Sequence, residues 1–319
     1  MTGTFTRGLL AGAAGTTALN AVTHLDRALR GRPASSVPEQ TVDALAEVTG
    51  RQVPGKGTVR DARRSGLGAL SGIANGVGLG VLSSLARSAG VQMPFPVGAV
   101  VKGALSMAAT DVPVAALGVS DPRRWSREDW LTDAVPHLAY GATVQAVVSG
   151  LPTAEERVLP RQKARSGLVA RSLLLGVAAG GRSSLGLAGP TLTATDTGVA
   201  KKLASLASLG GELYGDKQPG VPDRTSPAAL PARLASGAGG AVLLARRQGA
   251  NAAWPVVAGI AGSAAGSFGG RNWRRWADGR LPDWQAGVIE DAAAVVLALA
   301  ACLPGRRRST RLGTVRLFD

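Results

Sequence analysis

Four ionisable residues stand where they could handle protons or cations. Asp133 and His137 follow Trp130 by three and seven residues, and Glu290 and Asp291 follow Trp284 by six and seven. A mostly apolar stretch continues beyond each pair. If the tryptophans mark the edge of a bilayer, a helical rise of about 1.5 Å per residue carries His137 and Asp291 roughly 10 Å inward. Ionisable groups at that depth are costly, and they mark proton relays, cation sites or ion pairs. Histidine adds a group whose ordinary titration lies near neutral pH. These four residues would form a polar lining. The alternative is that the acids pair with Arg124, Arg275, Arg171 or Arg182 and tie helices together, Asp133 also being favoured in a helix's first turn by the dipole.

A second candidate group is Arg182, Glu212, Asp216, Lys217 and Arg224. Glu212 and Asp216 are four apart on one helix face, after an amphipathic stretch (199–214) that should lie near a membrane surface. The group would bind a lipid headgroup or an ion, or form an interfacial salt-bridge knot. His24, with Asn20 and Asp26, is a third polar spot; a lone histidine near a helix end usually packs or snorkels. Other chemistry is poorly provided for. One cysteine, Cys302, excludes a disulfide framework and a thiolate metal site, and two histidines leave little for a multi-histidine centre. No Gly-x-Ser-x-Gly elbow, P-loop or His-Glu-x-x-His is present, so neither an enzymatic activity, a metal nor a cofactor is expected.

The elements that would position these residues are long helices. The chain has 319 residues, 45% of them hydrophobic and 44 of them glycine, which excludes a disordered basic chain. Four windows, 8–25, 65–86, 134–154 and 248–270, contain no charged residue at all. About 20 helical residues cross a hydrocarbon core of about 30 Å, so these windows read as transmembrane helices. Weaker candidates, either interior helices of a bundle or partial, re-entrant ones, are 96–118 with Lys102 and Asp111, 167–189 with Arg171 and Arg182, 228–245 with Arg233, and 284–303 with Glu290 and Asp291. The mean hydropathy of +0.13 is low for eight spans, which arginine-rich loops and abundant small residues explain. A secretory signal peptide opening at Arg7 is the other reading of the first window. Thr16, Thr17 and Asn20 dilute it, and no small-x-small cleavage site follows.

Two passages align. Met93-Pro-Phe-Pro leads through Arg123-Arg-Trp125 to Asp129-Trp130, and Ala253-Trp-Pro leads through Arg274-Arg-Trp276 to Asp283-Trp284. The order of features predicts two parallel four-helix units: 1–150, a linker 151–166, then 167–303, with a basic tail 304–319. Lys and Arg lean toward the Arg-Arg-Trp side, which would make those loops cytoplasmic and the termini outward. Glycines recur every fourth residue at 68, 72, 76 and 80 and at 262, 266 and 270; Gly8, Gly12, Thr16, Asn20 and His24 share a face. Such glycine-zipper stripes pack helices closely, within the chain or between copies in a homo-oligomer.

The net charge of +15 would suit nucleic acid, but the basic residues sit in short clusters flanking apolar windows, such as Arg63–Arg64 and Arg246–Arg247. That placement favours anionic lipid as partner over nucleic acid.

The residues Gly181-Arg-Ser-Ser-Leu-Gly186, Glu212-Leu-Tyr-Gly-Asp-Lys-Gln-Pro219, Pro222-Asp-Arg-Thr225 and Glu290-Asp291 resemble an uncharacterised family of multi-spanning bacterial membrane proteins, over about residues 167–303. The N-terminal half, with Thr17-Ala-Leu-Asn20, Arg30-Gly-Arg-Pro33 and Pro136-His-Leu-Ala-Tyr-Gly141, is similar to actinobacterial membrane proteins, and thirty arginines against six lysines fit a GC-rich genome. The resemblance implies a cell-membrane protein and supplies no catalytic residue. The expectation is therefore an all-α polytopic bundle of about eight transmembrane helices. It would pass a small solute, ion or proton at the interface of its halves; the alternative is a non-transporting scaffold for lipid or protein.

Overall fold

Runs of small and apolar residues, punctuated by glycine, proline and charge, fold as helices throughout. The computed structural model describes residues 3–158, 161–215 and 223–303; it is all-α, 79% helical, with no strand among the described residues. The helices are α1 (Thr4–Arg30), α2 (Val37–Val48), α3 (Gly57–Ser88), α4 (Phe95–Ala116), α5 (Arg127–Gly150), α6 (Ala154–Val158), α7 (Ser166–Gly181), α8 (Leu185–Thr193), α9 (Val199–Gly215), α10 (Leu230–Arg247), α11 (Ala253–Ala277) and α12 (Asp283–Cys302). The chain divides into two compact units, Met1–Arg161 and Gln162–Asp319, and the division falls inside the 151–166 stretch.

Among the described residues three helices, α3, α4 and α12, are long and apolar enough to cross a membrane. Of these only α3 comes from the four charge-free windows; α4 and α12 come from charged ones. The reason is that lack of charge is not apolarity. Thr16, Thr17 and Asn20 in α1, Thr143, Gln145 and Ser149 in α5, and Ser263 and Ser267 in α11 dilute those helices.

In the first unit, α1 packs on α3 and α5, and α4 packs on α5. The α1–α3 contact is backbone to backbone. A Cβ on Gly12 would lie 2.6 Å from Val77 Cα, and one on Gly8 would lie 2.6 Å from Val81 Cα. Close approach of this kind replaces side-chain area by dispersion between main chains. Tyr140 of α5 donates to the Gly76 carbonyl at 2.6 Å, while Ala11, Tyr140, Val144 and Val148 form an apolar core. Asn20 and His24 lie on the exposed continuation of the α1 stripe. The α3 stripe is likewise used in part: Gly80 lies against Gly12, whereas Gly72 faces open space. Gly80→Ala should therefore push α1 and α3 apart at a cost of about 1–3 kcal/mol. Gly72→Ala should be neutral or slightly stabilising through helix propensity. Thermal unfolding in detergent reads both, and equal shifts would sink the packing account.

The corner between α4 and α5 is built locally. Pro122–Arg124 forms a 3-10 turn, and Ser126 and Asp129 close a capping box at the start of α5, with Asp129 N–H donating to Ser126 Oγ at 3.1 Å and Ser126 N–H to Asp129 at 3.0 Å. Trp125 meets Trp130 edge-on at 5.1 Å.

In the second unit α7 is central, with α10, α11 and α12 packed on it. Gly176 and Gly180 of α7 lie directly on the main chain of α11; a Cβ on Gly180 would sit 2.6 Å from Ser267 N. Arg171 Nε donates to the Ala301 carbonyl at 2.6 Å and so covers the end of α12. The 167–189 window is broken: Arg182 is extended at φ −135°, separating α7 from α8. The repeated motifs also mark different structures. The first Arg-Arg-Trp belongs to a 3-10 turn and its following residue, the second to the last turns of α11. In packing, α1 pairs with α3 and α5, whereas α7, its counterpart in order, packs most extensively on α11. A shared order of features thus accompanies two different arrangements.

Candidate functional site

Asp133 and His137 sit on a polar seam. Along α5 the residues Asp133, His137, Gly141, Gln145 and Ser149 recur every four positions, and along antiparallel α4 so do Gly98, Lys102, Ser106 and Thr110. Fourfold spacing keeps each set on one helix face, so the α5 set extends about 24 Å. At one end His137 Nδ1 is 2.9 Å from the Asp133 carbonyl, which can only accept; Nδ1 therefore carries the proton and leaves Nε2 as the acceptor of the neutral ring. Asp133 Oδ2 lies 3.5 Å from Nδ1 and is buried without a hydrogen-bond partner. The side chain of Asp111, from α4, is within hydrogen-bonding reach of Asp133. Two carboxyl groups so placed repel one another when both are ionised, and a proton shared between them would relieve that repulsion.

At the other end Lys102 Nζ donates to Gln145 Oε1, and Gln145 Nε2 donates to the Met93 carbonyl at 3.1 Å and to Ser149 Oγ at 3.0 Å. Between them the seam is pinched. A Cβ on Gly141 would collide with Ala99 O and Gly103 N, and one on Gly103 would lie 2.9 Å from His137 O. The histidine end and the lysine end are thus separated by touching main chains.

Glu290 and Asp291 belong to the second unit and are ion-paired. Arg182 Nε donates to Asp291 Oδ1 at 2.6 Å, and Arg224 forks onto both oxygens of Glu290. Glu212 Oε1 accepts from the Ser183 N–H at 2.6 Å and from Ser183 Oγ at 2.7 Å, and Oε2 accepts from the Ser184 N–H at 2.7 Å. Arg233 stands 3.8 Å from Glu212 and donates to the carbonyls of Gly180 and Gly181, 3.0 Å each. The break between α7 and α8 exposes carbonyls at one helix end and N–H groups at the next, and such orphans need partners. Arg233 supplies the donors and Glu212 the acceptors. That satisfaction is the physical reason the break is stable.

The four sequence candidates are divided between the units: Asp133 with His137 in the first, and Glu290 with Asp291 among arginines in the second. Of the second candidate group, Arg182, Glu212 and Arg224 join the same cluster as Glu290 and Asp291, while Asp216 and Lys217 lie outside the described residues. Of the arginines considered as partners, Arg182 takes Asp291, Arg171 takes helix-end carbonyls, and Arg124 takes Asp121. Asp26 pairs with Arg30 at 2.7 Å, and His24 is exposed.

Asp111 and Arg233 were visible only as charges inside spans. A signal for Asp111 exists: a hairpin turned about Pro122 brings residues equidistant from it together, and 111 and 133 are each eleven away. Among the described residues no group of three or more His, Cys, Asp or Glu side chains is placed to hold a metal ion. Comparison of the chain with protein-family models, with curated proteins and with solved structures finds no match in any of the three.

Proposed function

We propose that this chain is a multi-pass integral membrane protein of a bacterial cell membrane and that the histidine end of its α4–α5 seam relays protons. Beyond α3, α4 and α12, helices α1, α5 and α11 have 27, 24 and 25 residues, each enough to cross about 30 Å. Trp254 and Trp276, both exposed, stand at the two ends of α11, roughly 33 Å apart along the helix, as interfacial aromatics would. With α10 and the interrupted α7–α8 pair this makes eight crossings.

The observation that carries the relay is the acid pair Asp111–Asp133 beside His137, which forms no ion pair with Lys or Arg among the described residues. An uncompensated carboxyl pair in an apolar helix hairpin serves as a proton store, and the neighbouring imidazole can take or return that proton. Every acid of the other cluster is neutralised by arginine or by main-chain N–H groups, which suits a fixed framework.

The test is reconstitution of the full chain into vesicles loaded with a pH-sensitive dye, under an imposed potassium diffusion potential. The native protein should acidify or alkalinise the lumen well above protein-free vesicles, and Asp133→Asn should remove that flux; His137→Gln should slow it. Native protein that is folded yet no faster than protein-free vesicles would end the relay reading. The scaffold reading, favoured by the ion-paired cluster of the second unit, would then stand in its place.

A further inference from the structure

Helix α9 has no buried residue, although it is 17 residues long and packs on α8. Its three faces differ. Lys202, Ser205, Leu209, Glu212 and Leu213 are half-buried and mark the flank turned to the rest of the unit. Lys201 and Ser208, seven apart, are exposed on another face. The third face carries Val199, Leu203, Leu206, Gly210 and Tyr214, spaced by three or four residues, and its large side chains are 73%, 60%, 51% and 71% exposed for Val199, Leu203, Leu206 and Tyr214. A continuous apolar stripe left open in this way has a partner. The helix is also held in a fixed rotation, because Glu212 is fastened to the Ser183 and Ser184 N–H groups at 2.6 and 2.7 Å. The stripe cannot roll inward without breaking those bonds.

Charge chooses the partner. The only acid of α9 is Glu212, consumed by that fastening, so Lys201 and Lys202 leave the helix net basic. A basic helix with an apolar stripe and a tyrosine at its end is the composition of a helix lying in a bilayer surface. We propose that α9 lies in the plane of an anionic bilayer surface, its stripe among the acyl chains, Lys202 at the stripe's border on lipid phosphates, and Glu212 as the pin that sets its rotation. This rests on the membrane reading above but not on the proton relay.

The experiment uses the full chain with Cys302→Ala and one spin label at a time, at Leu203→Cys, Leu206→Cys, Ser208→Cys or, as a control on α3, Ile73→Cys. Vesicles contain phosphatidylcholine with or without phosphatidylglycerol, and collision with oxygen is compared with collision with an aqueous nickel chelate. Labels at 203 and 206 should favour oxygen at shallow depth, the label at 208 should favour the chelate, and phosphatidylglycerol should deepen 206. Lys201→Gln with Lys202→Gln should abolish that deepening; its persistence would overturn the headgroup contact. If Ile73 itself is open to the chelate, the membrane reading has failed. If Ile73 is embedded while 203 and 206 are open to the chelate, or closed to both reagents as in contact with protein or a second copy, the proposal for α9 is overturned.

Discussion

Glu156→Ala is expected to lower the unfolding free energy by about 3–5 kcal/mol, the usual consequence of leaving a buried charge without its partner. Arg7, near the start of α1, is fully buried, and all of its donors converge on one knot. Nε donates to Ser84 Oγ at 2.8 Å, Nη2 to the Ser84 carbonyl at 3.0 Å and Ser88 Oγ at 2.9 Å, and Nη1 to Glu156 at 2.8 Å. Glu156 also accepts from Arg87 at 3.1 Å. Removing the carboxylate therefore leaves two guanidinium groups facing neutral acceptors. Arg7→Met combined with Glu156→Leu should recover most of the loss, because both charges go together. Unfolding followed by circular dichroism in detergent reads both variants. Equal destabilisation of the single and double variants would assign the loss to packing instead of charge.

The same knot has a pH signature. Burial pushes the Glu156 carboxyl up, but the hydrogen bond from Arg7 and the charges of Arg7 and Arg87 outweigh it, so its value is held below the ordinary 4.5. A carboxyl depressed in the folded state contributes stability that is fully present above 4.5 and is lost as pH falls through the lower folded value. The stability gap between native protein and Glu156→Gln should stay constant from neutral pH to about 5 and narrow below 4.5. A gap that closes near neutrality would show that another group governs it.

The helices were legible because their signals are local. Charge-free windows overlap α1, α3, α5 and α11, with ends two to eight residues off, and the periodic glycines marked faces of α1, α3 and α11 without saying which helix each meets. What escaped is long-range. Arg7 finds Glu156 across 149 residues and Arg182 finds Asp291 across 109. Helical periodicity says which face a residue takes and nothing about which helix that face meets. The break at Arg182 escaped for the same reason: its stability comes from Arg233 and Glu212, both distant in sequence. Asp133 and His137 were placed together by spacing alone, since four residues make one turn, but their partner Asp111 required the hairpin.

Arg224→Ala should be nearly as damaging as loss of Glu156, at about 3–5 kcal/mol, because it strands Glu290 in a buried position. The two side chains meet as a fork, with Arg224 Nη2 at 3.2 Å from Glu290 Oε2, and both are largely buried. Gly270 makes room for them: a Cβ there would strike the Arg224 guanidinium and sit 2.8 Å from Glu290 Oε1. Gly270→Ala should accordingly weaken the same pair without touching either charge. Arg224→Met with Glu290→Met replaces the pair by side chains of comparable length and should restore much of the stability lost by Arg224→Ala. This double variant also separates the two halves of the functional account. A Glu290 that only holds α12 in place can be removed together with its arginine while proton flux in vesicles persists, as expected if the relay runs along Asp111, Asp133 and His137. Loss of flux in a double variant whose unfolding temperature is restored would return Glu290 to the pathway and confine the framework role to Arg182, Asp291, Glu212 and Arg233.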